Sequence, residues 1–214
     1  MVLAADDTNA STPDGWRTVW DLIVELRADR TAVVDSMGTE AISNEVCESE
    51  RAYQALVSLM LSSQTKDTVN MATMKKLRSY PDGLTVHSVH EMPDETLHEM
   101  IKQVGFHNNK VRYIKQTTAL LLEKHGGTVP STMEDLLALP GVGPKMAIIL
   151  LRVAFGKTVG ISVDTHVHRI ANQLGWAGEG GTKTPEQTRK KIEEWMPEEI
   201  WPGEVAAPVI AHLP

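Results

Sequence analysis

The sequence predicts an all-α protein, because apolar residues recur at helical spacing along most of its 214 residues. Two further observations support this prediction. Several apolar stretches begin with a Ser, Thr or Asp that can cap a helix and end at Gly or Pro. Almost no segment shows the strict alternation of apolar and polar residues that is typical of a strand. With 42% hydrophobic residues, the chain can build a sizeable core in one or two compact domains.

The first half of the chain contains a series of predicted helices separated by turns. A helix begins after Trp16, and apolar spacing predicts two more over residues 53–61 and 67–77. A turn-rich stretch follows, in which we expect His87 and His90 to be solvated loop residues rather than metal ligands. Asp94 is expected to cap the next helix, which ends at Gly105.

The second half continues with helices whose ends are well marked. One helix carries its apolar stripe from Val111 to Leu122 and ends at Gly126-Gly127. Ser131-Thr132-Met133-Glu134 is a capping box that opens a short helix, and Met146 lies at the start of a long apolar helix that we expect to be buried. Thr184-Pro185-Glu186-Gln187 is a second capping box, which opens a helix that reaches Trp195.

The turn between the short helix and the long apolar helix is the most informative segment of the chain. Its sequence is Leu139-Pro140-Gly141-Val142-Gly143-Pro144-Lys145. We expect this turn to be too tight for side chains at either glycine, with amides that face outward near the N-terminus of the second helix and favour an anion. Residues 131–155 therefore predict a helix-hairpin-helix, which binds a phosphate of DNA through the main chain. The expected DNA contacts in it are Leu139, Gly141, Val142 and Gly143.

Two other interpretations of this turn are an ordinary tight turn and a nucleotide-binding loop. An ordinary tight turn between packed helices would need the same glycines, and Gly-x-Gly alone would favour it. A nucleotide-binding loop is disfavoured, because there is no third glycine at the required spacing and Pro144-Lys145-Met146 lacks the Ser or Thr of a phosphate-binding loop. The capped helix before the turn, the apolar helix after it and the lysine at the junction favour the hairpin.

Lys145 and Asp164 are the candidate reactive residues. Lys145 lies at the positive end of a helix, and we expect partial burial against Met146 and Ile149; both disfavour the ammonium form and leave more free amine, which a nucleophilic lysine requires. Asp164 follows the short apolar run 159–163 at the start of the next helix. It is expected to be an N-cap whose second oxygen stays available. The simpler alternatives are a solvated surface lysine and a carboxylate that only caps.

These motifs resemble the endonuclease III family, especially its animal members. The resemblance covers about residues 53–201 and is carried by the hairpin with its lysine, by Val163-Asp164-Thr165-His166, and by two upstream segments, residues 61–67 and 104–106. It implies a DNA glycosylase and abasic-site lyase in which Lys145 attacks C1′ of an oxidised pyrimidine nucleotide, forms a Schiff base and nicks the strand by β-elimination. Asp164 would assist deprotonation of the lysine and stabilise the cationic sugar.

The resemblance also implies how the damaged base leaves the duplex. Gln64 would fill the space that the extruded nucleotide leaves, and Phe106 would act as an apolar wedge against the partner strand. His166, beside the candidate carboxylate, is expected to contact DNA as well. Without the resemblance, Gln64 would be interpreted as a polar residue at a helix C-terminus and Phe106 as a packed core aromatic.

The family architecture has two helical lobes with the active site in the cleft between them. By analogy, residues 45–157 form a helical barrel, and residues 16–44 with 158–214 form the second lobe. Residues 1–15 are polar and are expected to be a disordered leader.

The sequence departs from the family pattern at its C-terminal end. The second lobe of the family normally ends in four cysteines that ligate a [4Fe–4S] cluster. Cys47 is the single cysteine of this chain, so we expect that the cluster cannot form in it and that it holds no metal or other cofactor. The proline-rich segment after Trp201 is interpreted as a truncated or altered terminus. We expect the lobe that holds Asp164 to be weakly supported, and the chain to be less stable than its relatives or inactive.

Charge and composition are compatible with a double-stranded DNA partner. The net charge is −7, but residues 1–50 hold eleven acidic and three basic residues, whereas residues 51–214 hold seventeen and eighteen. Two basic segments, 102–124 and 183–191, suit phosphate contacts. No apolar run approaches the ~20 residues that span a bilayer, so we expect no membrane association. The N-terminus has no recognisable address segment; DNA repair implies the nucleus or the mitochondrion, and we expect a monomer.

Three hypotheses for the function remain at this point. The first is a bifunctional glycosylase and lyase acting on oxidised pyrimidines. The second is a non-catalytic DNA-binding protein that retains the hairpin, or a destabilised form. The third is a glycosylase that removes bases without lyase action.

Overall fold

The computed structural model describes residues 12–26, 28 and 48–201, and all regular structure within them is helical. This confirms the predicted all-α class. Most of the leader, Cys47 and the segment after Trp201 lie outside the described residues. The chain divides into two compact units, a middle unit (Ala32–Val159) and an end unit made of Met1–Thr31 and Gly160–Pro214. None of the described helices is both long and apolar enough to cross a membrane.

The described helices are numbered here in chain order. They are α1 (Trp16–Leu26), α2 (Glu48–Ser62), α3 (Asp67–Arg78), α4 (Val86–Glu91), α5 (Asp94–Ile101), α6 (His107–His125), α7 (Met133–Leu137), α8 (Pro144–Phe155), α9 (Thr165–Gln173) and α10 (Pro185–Glu193), followed by a short 3-10 turn (Glu198–Ile200).

The core of the middle unit is built around α2 and α8, which pack against each other. The α2 segment from Tyr53 to Leu61 is buried along its whole length, and α8 contributes Ala147, Leu150 and Leu151. Helix α6 packs on α2, where the Tyr53 hydroxyl and Thr118 Oγ1 are 2.7 Å apart. Burial therefore raises the pKa of Tyr53. The glycine turn that precedes α8 is attached to this core.

Three helix starts differ from the sequence-based predictions. Residues 86–91 form a helix, with a capping box between Thr85 and Ser88, where turns were expected. Asp94 is the first residue of α5 and not its cap, because Pro93 occupies the N-cap position. The cap of α7 is Thr132 instead of Ser131, and its hydroxyl accepts from the Asp135 amide at 3.2 Å. The two caps were predicted about one residue away from their observed positions. The helix over residues 86–91 was missed because it is too short to show an apolar period.

The end unit has an aromatic core. Trp16, Trp20, Trp176 and Trp195 contact one another, with ring centroids 5.2 to 6.4 Å apart, and the Trp195 indole N–H donates to the Trp176 carbonyl at 3.0 Å. Rings of this size bury much apolar surface, and edge-to-face pairs add further stabilisation. Helices α9 and α10 pack on each other. Thr184 is the N-cap of α10 and accepts from the Gln187 amide as predicted, but the Gln187 side chain accepts from the Lys183 amide and not from the Thr184 amide that a capping box requires.

Candidate functional site

The turn before α8 is held in place by α6. Gly141 has a φ of 79°, and a Cβ there would lie 2.8 Å from Cγ of Tyr113. The Thr117 hydroxyl donates to the Pro140 carbonyl at 3.0 Å. Gly141 therefore satisfies two separate requirements, a left-handed backbone and a close approach to an aromatic ring.

Gly143 differs from the prediction that both glycines are required for steric reasons. It is the N-cap of α8 with a φ of −107°, and nothing lies within 4 Å of a Cβ built on it. The Val142 amide is also not directed outward, since it donates to the Leu139 carbonyl at 3.2 Å. The start of α8 has no side-chain cap, and Pro144 at its first position has no N–H to satisfy.

Leu139 and Val142 have buried side chains in the core of the middle unit. As candidate DNA contacts, they could act only through their main chain. This fits the predicted mode of binding, in which the hairpin contacts phosphate and reads no base.

Lys145 is the second residue of α8 and is exposed. The expected partial burial of this lysine is therefore wrong: α8 turns Ala147, Ile148 and Leu151 inward and leaves Lys145 on the outer side of the first turn. An exposed amine directly after a rigid turn is accessible to a large substrate.

Asp164 is the N-cap of α9, in the end unit, as predicted. Its Oδ1 accepts from the amides of His166 and Val167, both at 2.9 Å, and these bonds fix the orientation of the carboxylate. Asp164 is half-buried, and His166 is exposed on the first turn of the helix. Lys145 and Asp164 belong to different units, and their pairing stays a prediction.

The segment that leads to Asp164 is anchored by α10. Ile161 and Val163 are buried, and the Ile161 amide donates to Glu193 Oε1 at 2.8 Å. The other carboxylate oxygen of Glu193 accepts from Arg189 at 2.5 Å. Arg189 also donates to Glu186, which raises the pKa of Arg189 and lowers that of Glu186. This chain of contacts holds the backbone three residues before Asp164.

Gln64 and Phe106 lie next to each other on the surface of the middle unit. Both have left-handed backbones, with φ of 51° and 55°, and among the described residues they are the two non-glycine positions of this kind. Gly105 packs so closely on Gln64 that a Cβ would lie 2.3 Å from the Gln64 carbonyl oxygen. Phe106 is 61% exposed, so it is not the packed core aromatic that the alternative described. Gln64 is exposed and left-handed two residues after the end of α2, which still agrees with the alternative of a polar residue at a helix C-terminus.

The two basic segments are smaller than the sequence suggested. Lys110 is buried, and its amine donates to main-chain and side-chain oxygens. Lys115 donates to the carbonyls of Val89, His90 and Met92. Arg189 is paired with two glutamates. These three residues are therefore not candidates for phosphate contact, because their donors already have protein acceptors.

Within the described residues, no group of His, Cys, Asp or Glu has the arrangement of a metal site. His87 and His90 lie on α4. The sequence contains one cysteine, whereas a [4Fe–4S] cluster needs four thiolate ligands, so these 214 residues do not contain that set. The reaction proposed for Lys145 does not involve the cluster.

Comparison with known proteins agrees with this helical fold and its glycine turn. The model of the HhH-GPD superfamily of base excision DNA repair proteins matches residues 57–198, and the chain belongs to this family. It is 48% identical over 190 residues to endonuclease III-like protein 1 of Gallus gallus and, over the same length, 44% identical to the endonuclease III homolog of Schizosaccharomyces pombe. These alignments cover 88% of this chain but only 66% and 53% of those proteins.

A solved structure of similar fold is an endonuclease III trapped as a covalent intermediate with DNA. It is 26% identical, has a TM-score of 0.73, and the match covers 95% of this chain and 85% of that one. A non-covalent endonuclease III–DNA complex matches with a TM-score of 0.71.

Sequence reasoning missed three residues that support the site. Tyr113 contacts Gly141 and Glu193 accepts from the Ile161 amide, and both partners are distant in sequence. No local sequence pattern therefore indicates their roles. Lys110 was placed in a basic segment because burial cannot be inferred from charge. A signal was available for Lys110, since it is four residues after Phe106 and lies on the same helix face as the apolar Val111 and Ile114.

Proposed function

We propose that this chain removes oxidised pyrimidines from double-stranded DNA and then nicks the strand, with Lys145 as the nucleophile. The observation that carries the proposal is the exposed amine of Lys145 at the second position of α8, directly after a turn fixed by Tyr113 and Thr117. Helix N-termini with glycine turns attract phosphate, so the same element can hold the DNA backbone and present the amine.

The proposed reaction begins with the neutral, deprotonated amine of Lys145. Its lone pair forms a bond to C1′, and the glycosidic C–N bond breaks, so the base leaves with the bonding electrons and gains a proton. The new ammonium loses a proton, the sugar ring opens at O4′, and a C1′=N iminium forms. Loss of a proton from C2′ then breaks the bond between C3′ and its oxygen, and the 3′ phosphate leaves.

We assign Asp164 to proton removal from Lys145 and to stabilisation of the positive sugar. Support comes from its orientation, because two amide hydrogen bonds to Oδ1 fix the carboxylate. A fixed negative group near developing positive charge lowers the barrier, since no reorganisation is needed during the reaction.

Relatives support the same chemistry. Endonuclease III has been trapped as a covalent intermediate with DNA, and this chain resembles that protein over most of its length. A covalent intermediate is also what the proposed attack by Lys145 would form. The partner would be a DNA duplex with a damaged base or an abasic site, bound by a monomer. We place its action in the nucleus or the mitochondrion, since both contain such a substrate.

Borohydride trapping tests the proposal. The wild-type chain, mixed with a duplex that contains one abasic site, should give a covalent adduct when borohydride reduces the imine to a secondary amine. Lys145→Gln should give none. Lys75→Gln changes another exposed helical lysine and should leave the adduct yield unchanged. An adduct that persists in Lys145→Gln would assign the nucleophile elsewhere.

The same samples separate the two other hypotheses. Base release from a duplex with one oxidised pyrimidine, without any trapped adduct, would indicate a glycosylase that lacks lyase action. Binding to this duplex with neither base release nor adduct would indicate a non-catalytic DNA-binding protein.

A further inference from the structure

Lys110 is a buried lysine that contacts both sides of Gln64. Only 5% of the residue is exposed. Its amine donates to the Leu61 carbonyl at 2.8 Å, to the Ser63 carbonyl at 2.6 Å and to Thr65 Oγ1 at 3.2 Å. An ammonium group has three protons, so these three acceptors satisfy it completely.

The acceptors show what Lys110 stabilises. Helix α2 ends at Ser62, and the carbonyls around its C-terminus carry partial negative charge and need donors. Lys110 supplies a cation there from the first turn of α6. Burial has a cost, since it lowers the pKa of Lys110 to about 8. The three contacts of the buried lysine are all made around one turn. They indicate that Lys110 serves to hold the conformation of this turn.

The turn is in a strained conformation that its surroundings must maintain. A left-handed backbone at a residue with a side chain is unfavourable, and such residues persist only where several contacts impose them. Gln64 and Phe106 both have this conformation. The Gly105 amide donates to Thr65 Oγ1 at 3.2 Å, the same oxygen that Lys110 contacts. The two strained turns therefore share one set of contacts.

We infer that Lys110 is a positioning residue, which presets Gln64 and Phe106 as one rigid element that enters the duplex when the nucleotide is extruded. This inference rests on the proposed function. Both side chains are exposed, and the backbones that carry them are fixed before DNA binds. The backbone entropy of ordering these two turns is therefore not lost at the moment of binding. Lys110 itself is buried and contacts no DNA.

Lys115 provides a matched control. It is also on α6, and its amine also donates to three carbonyls near a helix C-terminus, at 3.0, 2.8 and 2.6 Å. Those carbonyls belong to Val89, His90 and Met92, none of which has a left-handed backbone. Lys115 also forms an ion pair with Asp94 at 3.6 Å, so Lys115→Met removes at least as many contacts as Lys110→Met while leaving those of the Gln64 turn intact.

The first measurement requires no catalysis. A duplex with a stable tetrahydrofuran abasic analogue opposite 2-aminopurine is saturated with protein, and the fluorescence of the unstacked 2-aminopurine is recorded. Wild type and Lys115→Met should give the same increase. Lys110→Met should give about half of it or less, because fewer molecules hold Gln64 in the inserting conformation.

The second measurement compares two substrates. Lys110→Met should remove an oxidised pyrimidine from a duplex about tenfold more slowly, a moderate loss of transition-state stabilisation. Its trapping yield on a single-stranded abasic oligonucleotide should change less than about twofold, because no duplex has to be entered. In a Gln64→Ala background, Lys110→Met should cause a smaller loss than in wild type, namely the part that acts through Phe106, because residues that act through each other are not additive.

Two further variants test the same contacts independently of Lys110. Thr65→Val removes the shared oxygen, and Gly105→Ala pushes the Gln64 carbonyl away; both should reproduce the fluorescence defect. The inference is overturned if Lys110→Met behaves like Lys115→Met, if its effect multiplies with that of Gln64→Ala, or if wild type gives no fluorescence response. Failure of the proposed function is recognised separately, by the absence of a borohydride adduct with wild type.

Discussion

Asp164 combines a structural role with a proposed chemical one. Its Oδ1 accepts two amide hydrogen bonds at the start of α9, which accounts for part of the stability of that helix. Asparagine is an equally good N-cap, because its side-chain oxygen can accept the same bonds, but it carries no charge. Substitution at this position can therefore separate the two roles.

We predict that Asp164→Asn retains the stability of the protein and loses most of its activity. The free energy of unfolding should change by less than about 0.5 kcal/mol, whereas Asp164→Ala should lower it by about 1 kcal/mol. Base release by Asp164→Asn should fall by on the order of a hundredfold, since the stabilising charge is lost. Urea unfolding and single-turnover base release measure the two effects. Full activity in Asp164→Asn would show that the carboxylate only caps the helix.

Lys110 should make stability depend on pH in a specific window. Burial lowers its pKa to about 8 in the folded protein, whereas an unfolded lysine titrates near 10.4. Between these values the folded state binds fewer protons than the unfolded state, so stability rises with pH. The contribution is complete above the unfolded value and is lost as the pH falls through about 8.

The comparison of wild type with Lys110→Met isolates this contribution. The difference between their free energies of unfolding should grow in favour of wild type from pH 8 to pH 10, as measured by urea unfolding at each pH. A difference that is constant over this range would mean that Lys110 titrates normally.

At the scale of elements, the glycine turn and α8 act together. The turn is fixed by α6 on one side, through Tyr113 and Thr117, and by its continuation into α8 on the other. Gly141 and Gly143 have different requirements, although they are separated by one residue and look equivalent in the sequence.

We predict that Gly141→Ala is much more disruptive than Gly143→Ala. The former places a Cβ 2.8 Å from the Tyr113 ring on a left-handed backbone. It should lower the free energy of unfolding by about 2 kcal/mol and weaken binding to abasic-site DNA. Gly143→Ala should lower it by less than about 1 kcal/mol, the cost of a poorer N-cap. Equal costs would contradict the geometry of the turn.

At the scale of the whole molecule, the two units differ in size and composition. All five tryptophans of the sequence belong to the end unit, and its core cluster is smaller than that of the middle unit among the described residues. A smaller apolar core provides less free energy of burial. Units of unequal stability can unfold in separate steps.

We predict that the end unit unfolds first in urea. Tryptophan fluorescence, excited at a wavelength where tyrosine does not absorb, reports on the end unit alone, whereas circular dichroism reports on helices of both. The fluorescence midpoint should lie at lower urea than the dichroism midpoint. Coincident transitions would show that the two units unfold as one cooperative system.

The sequence alone determined the helical class, the glycine turn, the nucleophile candidate Lys145 and the capping role of Asp164. These features depend on contacts within a few residues: apolar periodicity, caps and turn glycines all act locally. The resemblance to endonuclease III was equally local, since it rested on short motifs, and family membership confirms it.

Contacts between distant parts of the fold determine which charged and glycine residues have structural roles. Lys110, Lys115 and Arg189 look like parts of a basic surface, but Lys110 and Lys115 donate to other turns and helices, and Arg189 donates to two glutamates of its own helix. Gly141 is required because Tyr113 packs against it, and Gly105 because Gln64 does. The contacts of Lys110, Lys115 and the two glycines join residues up to 49 positions apart, so no local pattern contains them.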